Sequence, residues 1–230
     1  MQIEVLDFVE GARNARGVTV VIDVFRAFSV ACYAYARGAR RIIPVAEIET
    51  ALTLKREHPE YLAIGERGGR KVETFDFGNS PTEISQFDIR GKTLIQTTSA
   101  GTQGLTNASQ ADIVLTGSLV NAAAICAYIE KLGPERVSIV RMGLAAKERS
   151  TEDDLCAELL RARLSGEGYD VSGVRKALRA APAAQKFFDP AATWAPEGDF
   201  DLCTDVDRFG FVLRMSRNGH PLSYLEQINI

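Results

Sequence analysis

The chain has 230 residues, of which 46% are hydrophobic and 25% charged, with a formal net charge of -3. This balance suits a globular protein and excludes one built to coat nucleic acid or an anionic membrane. No apolar run approaches the ~18 residues of a membrane span, and the first residues, MQIEVLDFVEG, read as a strand and turn rather than a leader.

Beyond that first strand, β-branched runs alternate with helical patterns. VTVVID (18–23) reads as a strand, followed by AFSVACYAYARG, a small-residue helix stopped by Gly38. RRIIPV (40–45) is the next strand, and EIETALTLKREHP has helical spacing ended by Pro59. YLAIG (61–65) is a strand that runs into GERGGRKVETFDFGNSP (65–81), a glycine-hinged loop dense in charge. KTLIQ (92–96), DIVLTG (112–117) and RVSIVRMG (136–143) are further strands. Each leads into a helical segment: TQGLTNAS, NAAAICAYIEKLG (121–133) and STEDDLCAELLRARLSG (150–166). From about 167 the pattern is less regular, through an Ala-rich helix, a Trp/Pro loop and DFDLCTDVDRFGFVLRM. The alternation predicts an α/β protein of three α/β/α layers with a mostly parallel or mixed sheet. The whole chain, 1–230, is read as one domain. Cys32, Cys126, Cys156 and Cys203 form no CxxC pair and read as buried free thiols of a reducing cytoplasm.

In such sheets ligands sit beyond the carboxyl ends of the strands. Asp23 ends the first VTVVID strand, with Arg26 three positions on. A metal ligand beside an anion-binding guanidinium is one reading and an Asp–Arg ion pair the other. Glu66, Arg67, Gly68 and Gly69 leave the next such strand, with Asp76, Asn79 and Ser80 in a second turn. TTSAGT (97–102) offers the hydroxyls of Thr97, Thr98, Ser99 and Thr102 and the amide of Gly101 as an anion cradle, or as an ordinary helix cap. TGSLVN, with Ser118 and Asn121, is a weaker copy. Ser150 and Asp153 have capping-box spacing, but Glu152, Asp153 and Asp154 exceed what a cap needs and could meet a hard cation.

Several chemistries drop out. His58 and His220 are too few for a His-rich dinuclear phosphatase. No cysteine precedes an arginine by six positions, Asp23-Val24-Phe25 lacks a second aspartate, and no G-x-S-x-G elbow occurs. Carboxylates, hydroxyls, arginines and amides remain, which suit an oxygen-ligated Mg²⁺ and a strongly anionic substrate.

DVFRAFSVA (23–31), GERGGRKVETFDFGNSP (65–81), TTSAGTQGL (97–105), GSLVNA (117–122) and EDDLCAELL (152–160) together resemble the 2-phosphosulfolactate phosphatase (ComB) family. The resemblance implies Mg²⁺-dependent hydrolysis of 2-phospho-3-sulfolactate to 3-sulfolactate and phosphate in the cytoplasm, a step of coenzyme M biosynthesis in methanogens. It covers about residues 23 to 160. A Glu-His-Gly turn of many members has no counterpart near QKFFDP (185–190). On this reading Mg²⁺ is held by Asp23 with Glu152 or Asp153, Glu66 being a further candidate ligand, Arg26 and the 97–102 turn stabilise phosphoryl oxygens, and the general acid is left unassigned, with Asp76 and Glu66 as its candidates. Asp23 is the nucleophile if the reaction is covalent. A homodimer is expected from base rates. The rival is a non-catalytic protein that binds a phosphorylated or sulfonated metabolite.

Overall fold

The computed structural model describes residues 1–216 and 222–230; His220 lies outside them. In chain order the strands are β1 (Gln2–Asp7), β2 (Val18–Ile22), β3 (Arg41–Pro44), β4 (Leu62–Arg67), β5 (Arg70–Lys71), β6 (Thr93–Thr97), β7 (Ile113–Gly117), β8 (Arg136–Arg141), β9 (Phe211–Ser216) and β10 (Tyr224–Asn229). The helices are α1 (Phe8–Asn14), α2 (Ala27–Ala36), α3 (Ile48–Glu57), α4 (Pro81–Ile84), α5 (Gly101–Asn107), α6 (Ala122–Leu132), α7 (Thr151–Leu164), α8 (Val174–Ala180) and α9 (Glu197–Cys203). The residues after β1 thus form a helix, not the turn that MQIEVLDFVEG suggests. Gly11 allows it: a Cβ there would lie 2.9 Å from Leu6 Cβ, so only glycine lets α1 fold back so tightly on its own strand.

Strand alternation creates the layers. In β2, Val18, Val20 and Ile22 join a core with residues of α6 and α7, whereas Val21 points into a core with residues of α1, α2 and α5. Val137 and Ile139 of β8 face the first core and Val140 the second. A third core gathers Ile43, Ala63 and Ile95 of β3, β4 and β6 against Ala51 and Leu54 of α3. Both faces are covered, which explains the near-continuous apolar strands and completes a three-layer α/β/α arrangement. The four cysteines are free and buried.

The sheet order is β1-β8-β2-β7-β9-β10-β3-β6-β4-β5. β1, β8, β2 and β7 form one parallel block, and β3, β6 and β4 another. Between them lies the antiparallel β9–β10 pair, joined to β7 by Leu115↔Arg214 and to β3 by Leu225↔Ile42. Sequence alternation predicts the blocks but not this insertion, since both inserted strands come from the irregular C-terminal part. The turns that follow β2 and β6 nevertheless meet: Gly101 N, just past β6, lies 2.8 Å from Asp23 Oδ2, just past β2.

Candidate active site

A pocket of about 400 Å³ lies at this meeting point, lined by residues that follow β2, β4, β6 and β8 and by the first turn of α7. Its floor is made of carboxylates held by backbone amides. Asp23 Oδ1 accepts from Ala27 N (3.2 Å) and Oδ2 from Gly101 N (2.8 Å). Gly101 is required there, because a Cβ would stand 2.8 Å from Asp23 Oδ2 and 3.0 Å from Ala27 Cβ. Asp153 Oδ1 accepts from Val24 N (2.9 Å) and Oδ2 from Gly143 N (2.8 Å), so it pins α7 to the ends of β2 and β8. Ser150 occupies the N-cap position of α7, but its side chain caps nothing and Asp153 has turned away from it. Glu66 Oε1 accepts from Ser99 N (2.6 Å), and Oε2 from Gly69 N (2.6 Å) and Ser99 Oγ (3.1 Å). Glu152 Oε2 and Ser150 Oγ are buried without a hydrogen-bond partner, as is Asn79 Oδ1.

Crowded acids in a dry site resist ionisation. Burial, with the charges of Glu66 and Glu152 adding, pushes Asp23 up to about 6 against the amide bonds from Ala27 and Gly101. Burial, then the charges of Asp23 and Glu152, holds Asp153 well above the usual carboxylate range. Burial raises Glu152 too. Lys186 reaches the same pocket, and burial followed by the charge of Arg26 lowers its pKa.

Of the candidate residues, Asp23, Arg26, Glu66, Gly68, Gly69, Asn79, Ser99, Glu152 and Asp153 line the pocket. Others stand outside its lining. Asp76 is held against β4 and α3, its Oδ2 accepting from Ala63 N (2.7 Å) and Lys55 Nζ (2.9 Å). Arg67 turns away to Glu66 O, Ala46 O and Thr97 Oγ1 and ties β4 to its neighbours. Thr98 and Thr102 bond each other across the turn. Ser80 caps α4, accepting from Glu83 N, and donates to Asp199. Ser118 shares a hydrogen bond with Ser29, and Asn121 donates to Phe211 O. The TTSAGT amides are therefore an anion cradle of a particular kind: Ser99 N and Gly101 N hold carboxylates of the chain itself.

Three features escape sequence reasoning. Arg26, 2% exposed, donates through Nη1 to Asp199 Oδ2 (2.6 Å) and Trp194 O (2.9 Å), and through Nη2 to Gly69 O (2.9 Å). Its ion-pair partner is 173 positions away on α9, not Asp23. Gly69, at φ 83°, lets the loop press onto Trp194, where a Cβ would come within 2.6 Å of the indole. Lys186 arrives from a 3₁₀ turn, Pro182–Phe187, that no periodic pattern announces. The loop after β8 closes the rim, with Ala145 and Ala146 both left-handed (φ 52° and 56°). That conformation costs non-glycine residues roughly 1–2 kcal/mol each.

The donor set is all carboxylate oxygen, the chemistry of a hard cation. Among the described residues no three such side chains form a ready-made metal cage. Asp23 and Asp153 keep lone pairs beyond their amide bonds, however, and the orphaned Glu152 Oε2 lacks the partner a buried oxygen needs. The unpaired Glu152 oxygen beside two amide-held aspartates is the feature of the pocket that suits a divalent ion.

A family model described as 2-phosphosulpholactate phosphatase matches residues 6–218. A protein of Carboxydothermus hydrogenoformans named probable 2-phosphosulfolactate phosphatase is 35% identical over 200 residues, 86% of this chain and 78% of that one. A Bacillus subtilis protein of the same name is 31% identical over 206 residues, covering 88% of each chain. A third of that name, from a Synechococcus species, is 30% identical over 224 residues and 91% of each chain.

Proposed function

Because the chain belongs to the 2-phosphosulpholactate phosphatase family and is a phosphoric monoester hydrolase, we propose that it cleaves 2-phospho-3-sulfolactate, or a similarly small 2-phospho acid, to the hydroxy acid and phosphate with Mg²⁺. The observation that carries this reading is the pocket's charge. Asp23, Glu66, Glu148, Glu152 and Asp153 line it against only Arg26, Arg149 and Lys186. A divalent ion would take the place of the protons that burial favours on these acids and offset their charge, so that a polyanionic substrate could approach.

Asp23, Glu152 and Asp153 would hold Mg²⁺, which when bound supplies Lewis-acid polarisation of a phosphoryl oxygen. The amides of Ala27, Gly101, Val24 and Gly143 fix the two aspartates before substrate arrives. Glu66 accepts three hydrogen bonds and so joins the Gly68–Gly69 loop to the 97–102 turn. Arg26 has three of its N–H groups committed, and the remaining two would be the ones to meet phosphoryl oxygens.

Phosphate release from 2-phosphosulfolactate, 2-phospholactate and 2-phosphoglycerate tests the reading. Mg²⁺-dependent turnover that chelator abolishes is expected. Turnover indifferent to chelator, or no phosphate from any of the three, would overturn it.

A further inference from the structure

Two of the pocket's three cations are committed to carboxylates. Arg26 is locked to Asp199. Arg149 grips Asp154 through Nε (3.1 Å) and Nη2 (2.9 Å), with its side chain 55% exposed at the rim. Lys186 is different. Its ammonium stands 5.1 Å from the ring centroid of Phe187 and 5.9 Å from that of Phe25. Among the described residues it makes no ion pair and no hydrogen bond. Aromatic faces position an ammonium without neutralising it, so its three N–H donors stay available to a ligand.

The hydrolase reading above, on which this step rests, gives the ligand two kinds of anion. One is the phosphoryl group, which the acid-bound ion and Arg26 would engage. The other is the acid group on the neighbouring carbons, for which neither provides. We propose that Lys186 anchors this second acid group, carboxylate or sulfonate, and thereby selects 2-phospho acids over plain phosphomonoesters. The residue enters from the C-terminal turn near QKFFDP, where the sequence has no counterpart of the Glu-His-Gly turn. Substrate choice is thus carried by a segment separate from the strand ends that hold the acids.

Lys186→Met keeps the apolar stem over Phe25 and Phe187 while removing the charge. A lost charge-assisted bond corresponds to a fall in kcat/KM of roughly 10- to 100-fold for 2-phospholactate and 2-phosphosulfolactate, with glycerol 2-phosphate changed by no more than about threefold. Lys186→Arg should recover part of the loss. A loss with both phospho acids assigns the carboxylate; a loss with 2-phosphosulfolactate alone assigns the sulfonate. An equal loss on all three esters, or no loss on any, overturns the proposal. If the parent protein hydrolyses none of them, calorimetric binding of 3-sulfolactate to the full chain in Mg²⁺ decides. A roughly tenfold weakening in Lys186→Met sustains the anchor while the hydrolase substrate reading fails, and absent or unchanged binding overturns the anchor.

Discussion

Asp199→Asn isolates the Arg26–Asp199 ion pair. Asp199 is fully buried and accepts at Oδ1 from Ser80 Oγ (2.7 Å) and Thr82 N (2.9 Å), and at Oδ2 from Arg26 Nη1 (2.6 Å). Asparagine can keep its oxygen on Ser80 and Thr82 and must then turn its amide donors toward the guanidinium. Arg26, 2% exposed, is left with an uncompensated charge and a facing donor. Removing one partner of a buried pair costs about 3–5 kcal/mol, which for a chain of this size lowers Tm by roughly 6–20 °C. Urea unfolding of the parent, Asp199→Asn, Arg26→Met and the double variant gives the interaction energy as a cycle. The double variant should be more stable than Asp199→Asn, because the stranded charge is gone. An Asp199→Asn variant within about 1 kcal/mol of the parent would refute the assignment of this pair as the strut between the Gly68–Gly69 loop and α9.

Glu152→Gln should raise the Tm of the metal-free protein at neutral pH, since it removes a buried charge, yet reduce the stabilisation that Mg²⁺ gives; that stabilisation is about 2.7 kcal/mol at a hundredfold excess over Kd in the parent. Thermal melts with and without Mg²⁺ read both effects. For pH, Asp23 is raised from 3.8 to about 6 in the folded state, so its contribution to stability is fully present below 3.8 and lost as pH rises through about 6. Over that window the metal-free protein should lose on the order of 3 kcal/mol from this group, visible as a Tm that falls between pH 4.5 and 7 more steeply in the parent than in Asp23→Asn. Gly101→Ala would push a Cβ against Asp23 Oδ2 and Ala27, with an expected cost of about 1–3 kcal/mol and a loss of Mg²⁺ affinity of roughly tenfold or more; chemical denaturation and calorimetry check each.

The parallel blocks are legible because VTVVI and its counterparts are buried on both faces and each precedes a helical pattern. The acids at the strand ends are legible for the same reason: a polar residue closing an apolar strand has few other uses. What these residues touch is not. Arg26 beside Asp23 in sequence suggests a local pair, whereas its partner comes from α9, and no periodicity marks Asp199 within DFDLC. The amides of TTSAGT do hold carboxylates, but those of Asp23 and Glu66, a fact that depends on the turns after β2 and β6 meeting despite the β9–β10 pair inserted between the blocks. Asp76 reads as an active-site acid from its loop, yet Lys55 and the Ala63 amide hold it outside the pocket lining. Lys186 lies in an irregular turn and gains its meaning only from the pocket it enters.

Calorimetric titration of Mg²⁺ into the metal-free protein at pH 6, in two buffers of different ionisation enthalpy, addresses the buried acids most directly. Because burial raises Asp23 to about 6, stoichiometric binding should release protons to the buffer. Binding with no buffer-dependent heat, or no binding at all, would show that these carboxylates do not hold the ion.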